Sequence, residues 1–172
     1  MAEALLSFHF EQGSEFILHV TGWSMGPTLG PSRDVVVRPL KHGPAFGDVV
    51  LLRSESKWLI HRVVGQRMDG QQRLFVTKGD YSRTIDQPVT REEVVGLVVG
   101  IKTPEGVSIP CHWRWPYSCL VALLSRIGAG GYSPFVYLLQ RILYFSSRAQ
   151  ETWSQCRERK IQKLCRKVVK SE

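Results

Sequence analysis

The chain lacks the motifs that mark the commonest cofactor and nucleotide sites. Its four cysteines, Cys111, Cys119, Cys156 and Cys165, form no C-x-x-C pair, which argues against a zinc ribbon and a thioredoxin-type redox site. It has no G-x-x-x-x-G-K-[ST] loop and no G-x-G-x-x-G turn, so the simplest nucleotide-binding readings fall away. No metal and no cofactor is expected. Residues 1–16 hold Glu3, Glu11 and Glu15 and no long apolar run, so neither a secretory leader nor a membrane anchor is expected at the N-terminus. Without a leader, the cysteines are expected to be free thiols in a reducing compartment.

What is present suits one domain with an appended segment: 172 residues of ordinary globular composition. Fifteen Gly and nine Pro imply many turns, and so short strands rather than long helices. Six runs read as strands: Phe16–Val20, Asp34–Arg38, Asp48–Arg53, Trp58–Val64, Arg73–Thr77 and Val94–Ile101. Gly, Pro or Asp punctuates the gaps, and Asp69-Gly70 between two such runs is a hairpin signal. The fold class expected is mainly β, a compact β-domain over residues 15–110 with a C-terminal helical segment over 113–172.

That segment differs in character. Leu120, Leu123, Leu124 and Ile127 follow helical spacing, as do Phe135, Leu138, Leu139 and Ile142. Gly128-Ala129-Gly130-Gly131 and Ser133-Pro134 divide the two pieces, Tyr117–Ile127 and Pro134–Phe145, each too short to span a bilayer. A hairpin packed on the core and one lying in a membrane interface both fit. A third, basic helix is expected from Trp153, Cys156, Lys160, Leu164 and Val168. The net charge of +8 is concentrated there, with eight Lys and Arg against three Glu over 148–172. Such a tail suits an anionic membrane surface or a solvated helix face. It has no paired aromatic and basic platform for stacking bases, so no nucleic-acid partner is expected.

Three stretches of the β-domain carry chemistry. In Thr21-Gly22-Trp23-Ser24-Met25-Gly26-Pro27-Thr28-Leu29, small and rigid neighbours turn the backbone and expose the Ser24 hydroxyl. A nucleophile needs that access, although Ser before a turn is also ordinary turn chemistry. His61, in Trp58–Gly65, shares a strand face with Leu59 and Val63. It reads as a core histidine or as a general base. In Thr77–Asp86, a turn-rich loop holds Asp80 and Asp86. Asp80 suits an Asx turn, and Asp86 suits a carboxylate orienting His61.

Taken together, these motifs resemble the signal-peptidase family of serine peptidases, which also contains the self-cleaving repressors. The resemblance covers about residues 17–101: S-M-x-P-T-L at Ser24–Leu29, G-D-V-V at Gly47–Val50, [KH]-R-V-[VI]-G at His61–Gly65, and the K-G-D loop from Lys78 to Asp86. It implies the family's β-fold and a serine endopeptidase that removes leader or signal peptides after small residues. Ser24 would be the nucleophile in a loop formed with Gly22, Met25 and Pro27. His61 would be the base, as in the endoplasmic-reticulum, archaeal and sporulation-associated branch. Asp86 would orient it, with Asp80 the second choice or a structural residue of the loop. Lys78 falls outside the base position.

The chain departs from the family at Gly22, where the housekeeping bacterial enzyme has a hydroxyl beside the oxyanion hole. It departs again at Tyr81, where an Asn commonly follows Gly-Asp, and in the expected absence of an anchor. Trp113, Trp115, Tyr117 and the basic tail would then provide peripheral membrane contact, for a membrane-associated or cytoplasmic protein. Two other functions stay open: a self-processing regulator of the repressor branch, and a catalytically silent member that binds peptides or scaffolds a complex.

Overall fold

The structure is a computed structural model that describes residues 13–26, 28–30, 33–54, 57–104, 106–109, 117–127 and 142. Pro27, Trp113, Trp115, the expected basic helix and, apart from Ile142, the second apolar piece lie outside the described residues. The strands are β1 (Phe16–Val20), β2 (Arg33–Pro39), β3 (Val49–Ser54), β4 (Lys57–Asp69), β5 (Gln72–Lys78), β6 (Val94–Thr103) and β7 (Gly106–Ser108). One helix follows, α1 (Tyr117–Ile127).

The seven strands form one sheet in the order β1-β2-β6-β3-β4-β5, with β7 also on β6. Every pairing is antiparallel. β6 is inserted between β2 and β3, so the last long strand joins the β1–β2 pair to the β3–β4–β5 meander. The hairpin expected at Asp69-Gly70 is present. Asp69 pairs with Gln72, and Gly70 takes the left-handed backbone (φ 58°) that opens a two-residue loop.

The apolar run Val49–Leu52 is continuous because the sheet is covered on both faces. Val49 and Leu51 join Phe16, Met25, Leu29, Val35, Val37, Ile60 and Val98 in one cluster. Their alternates Val50 and Leu52 join Val63, Phe75 and Val94 in a second. Each such Val or Leu contributes about 1.5–3 kcal/mol by leaving water. Met25 and Leu29 belong to a loop, and their burial anchors the Ser24 segment to the sheet.

Helix α1 has the bounds expected from the sequence, but its packing face is different. Ser118, Val121, Ala122 and Ser125 are buried. Leu120, Leu123 and Ile127, three of the four residues read as the apolar stripe, are 41%, 48% and 64% exposed. The reason is close approach. A Cβ on Gly47 would lie 3.0 Å from the Cys119 backbone nitrogen and 3.0 Å from the Ser118 carbonyl carbon. Only a face of small residues reaches a sheet that closely. Among the described residues no helix is long and apolar enough to cross a membrane.

Candidate active site

The loop after β1 is built from two linked turns. Gly26 N–H donates to the Trp23 carbonyl (2.9 Å), and Leu29 N–H donates to the Met25 carbonyl (2.9 Å). With Met25 and Leu29 buried and Trp23 69% exposed, Ser24 is held at the boundary between core and solvent, half-buried. Its carbonyl accepts the Tyr81 N–H at 2.8 Å, which ties this loop to the one after β5.

His61 lies in the middle of β4, opposite Val50. Its Nδ1 is 2.6 Å from Asp86 Oδ2. The same carboxylate oxygen accepts the Thr77 hydroxyl at 2.8 Å, and Asp86 N–H donates to the Thr77 carbonyl at 3.0 Å. These bonds close the 78–85 loop on itself and fix the carboxylate at its exit. An ionised carboxylate only accepts, so the Nδ1 of His61 is the donor in this contact, and in the neutral imidazole Nε2 then carries the lone pair. His61 Nε2 is buried with no hydrogen-bond partner among the described residues.

Gly79 is where the pieces meet. A Cβ there would lie 2.5 Å from the Ser24 carbonyl oxygen, 2.5 Å from Ser82 Oγ and 3.0 Å from His61 Nε2. A side chain at position 79 would thus occupy the space between the serine loop and the imidazole. The Ser24 backbone, the His61 imidazole and Asp86, far apart in sequence, border one small region, in which His61 and Asp86 are hydrogen-bonded and Ser24 Oγ makes no hydrogen bond to Nε2.

Asp80 sits elsewhere. It forms a two-pronged ion pair with Arg62: Nε to Oδ1 at 2.9 Å and Nη2 to Oδ2 at 2.8 Å. Both side chains are fully buried. Arg62 Nη1 donates to the Gly47 carbonyl at 2.9 Å. The Thr28 hydroxyl lies between two acceptors, Asp80 Oδ2 and the Met25 carbonyl at 2.6 Å. All four sequence motifs therefore meet on one ion pair, through Thr28, Gly47, Arg62 and Asp80. Of the two carboxylates weighed for orienting His61, Asp86 is the one in contact, and Asp80 is a framework residue of the loop.

Two further ionisable groups border the site. Lys78 is buried, and its Nζ donates to the Gly79 carbonyl (3.1 Å) and to Ser125 Oγ (3.0 Å). Burial pushes its ammonium below the usual lysine range, while Asp80 and Asp86 pull it back. Burial pushes the Asp48 carboxyl up, opposed by the Ala45 N–H it accepts and by nearby Arg62. Among the described residues no three His, Cys, Asp or Glu side chains cluster as metal ligands would.

Sequence reasoning missed Ser82, Thr77, Thr28 and the framework role of Arg62. Ser82 sits within the K-G-D loop and Thr77 immediately before it, and neither carries a pattern of its own. Arg62 enters only as one letter of the His61–Gly65 motif, and it is fully buried. Gly22 is exposed at the start of the loop and Met25 is its buried anchor. No protein-family model matches the chain, and no curated protein matches it significantly.

Proposed function

We propose that this chain is a serine endopeptidase of the signal-peptidase type, with Ser24 as nucleophile, His61 as general base and Asp86 as the residue that orients it. One observation carries the reading: His61 is anchored through Nδ1 to Asp86, and its buried Nε2, without a hydrogen-bond partner among the described residues, lies beside the Gly79 position that the Ser24 carbonyl also borders. A buried imidazole nitrogen without a partner costs free energy, and proton transfer from an approaching Ser24 hydroxyl would give that cost a purpose.

In the proposed reaction, Nε2 takes the Ser24 hydroxyl proton as Oγ bonds to the scissile carbonyl carbon. Asp86 stabilises the imidazolium that forms. Collapse breaks the carbon–nitrogen bond, and the imidazolium returns its proton to the leaving amine. A water then attacks the acyl-enzyme by the same route and regenerates Ser24. The motif resemblance supplies the substrate class, a leader peptide cut after small residues.

The proposed setting is the surface of an anionic membrane. Tyr117, Leu120, Leu123 and Ile127 are exposed on α1, and the sequence beyond it carries the excess of Lys and Arg. An exposed apolar face followed in the sequence by basic charge suits peripheral docking.

The test is mass spectrometry of peptides in which a leader ending in Ala-x-Ala is followed by several further residues, incubated with the purified chain and lipid micelles near neutral pH. The expected result is cleavage after the second alanine by the wild type, and none by Ser24→Ala or His61→Ala. Cleavage that survives Ser24→Ala would sink the assignment.

A further inference from the structure

Helix α1 touches three of the four motif segments that build the site. Ser118 and Cys119 lie against Gly47, and Cys119 Sγ is 3.5 Å from the Phe46 carbonyl oxygen. Arg126 Nη1 donates to the Val64 carbonyl at 3.2 Å. Ser125 Oγ accepts from Lys78 Nζ at 3.0 Å, and Lys78 also holds the carbonyl of Gly79. The last two contacts are the most informative. Ser125 is 1% exposed and Lys78 3%, so an ammonium has been taken out of water to join a helix to a loop. A methionine of similar length would fill that space without the desolvation cost. What the charge adds is electrostatic attraction to Asp80 and Asp86, which flank it in the same loop.

We propose that α1 is a positioning clamp on the catalytic loop. Through Ser125 it fixes the Lys78 ammonium, and through Lys78 it fixes the Gly79–Asp86 segment that holds Asp86 against His61. Lys78 and Ser125 are positioning residues, because their effect on the reacting atoms passes through Asp86. Any movement of α1, including one imposed at its exposed leucine face, would then reach the imidazole along this path. The clamp rests on the peptidase reading only for its effect on turnover.

The experiment uses the full chain and two variants, Ser125→Ala and Lys78→Met. Its first readout is the low-field proton resonance of the His61 Nδ1–H bonded to Asp86, identified by its loss in His61→Ala. The second is kcat and KM on the leader peptide. The wild type is expected to give the resonance. Both variants are expected to broaden it away while keeping the amide spectrum of the sheet, and to lower kcat about tenfold or more with KM little changed. A wild-type resonance in both folded variants would overturn the clamp. Global unfolding of both would overturn it too, since the contact would then hold the fold and not the loop. If Lys78→Met alone unfolds, Ser125→Ala decides. Absence of peptide cleavage with the resonance responding as expected would remove the peptidase reading and leave the clamp. Cleavage with unresponsive resonances would do the reverse.

Discussion

Arg62 and Asp80 form a fully buried, two-pronged ion pair, and each is the sequence neighbour of a site residue. Arg62 follows His61, and Asp80 follows Gly79. The pair locks the strand carrying the imidazole to the loop whose far end carries Asp86. Through Thr28 it also reaches the serine loop. It takes no part in the proposed proton transfer, but it fixes the distance over which that transfer occurs.

Asp80→Ala leaves the Arg62 guanidinium buried without its carboxylate. The expected loss is about 3–5 kcal/mol, read as a fall in the urea midpoint. Arg62→Met combined with Asp80→Leu is expected to recover most of it, because neither charge then needs solvation. A double variant no more stable than Asp80→Ala would contradict this account of the pair.

Asp86→Asn is expected to behave in the opposite way. The fold should survive, since Asp86 is partly exposed, while kcat falls by about 10³–10⁴ as the imidazolium loses its carboxylate. Peptide kinetics alongside circular dichroism separate the two aspartates. Comparable activity losses at unchanged stability for both would refute the division of roles.

Gly79→Ala places a methyl group 2.5 Å from the Ser24 carbonyl oxygen and 3.0 Å from His61 Nε2. The expected cost is about 1–3 kcal/mol of stability, with kcat/KM lower by about 10² as the loops part. Unfolding curves and peptide kinetics on one preparation check both. Wild-type activity would mean that the two loops are not so closely set.

Lys78 gives the stability a pH signature. Its folded pKa lies below the usual 10.5. Between the folded and unfolded values the unfolded chain binds more protons, so stability from this group rises with pH and levels off near 10.5. Lys78→Met should remove that rise. Urea midpoints for both proteins, stepped from about pH 8 upward, test it; parallel profiles would exclude it.

Most of the fold was legible because the strands alternate or run apolar between Gly, Pro and Asp punctuation. The end of β4 was not. Gln66, Arg67, Met68 and Asp69 are all exposed, so the β4–β5 arm beyond Gly65 leaves no one-sided pattern. The three residues of β7 are too few to form a period. Around the site, motif order brought Ser24, His61 and Asp86 forward as candidates. The burial of Arg62 could not be read because its partner Asp80 comes from a different segment, and the packing face of α1 could not because Gly47 lets the helix backbone approach. Sequence spacing records a side chain's own periodicity and not the space left by another.

The proposed reaction stands on attack by Ser24 with His61 as base. The most direct measurement is intact-protein mass after rapid acid quench of the chain mixed with a small-acyl ester substrate, followed by peptide mapping. The expected result is a mass gain of one acyl group on Ser24, absent in Ser24→Ala and strongly slowed in His61→Ala and Asp86→Asn. Acylation of the neighbouring Ser82 instead, or no acyl-enzyme in a preparation that hydrolyses the ester, would contradict it.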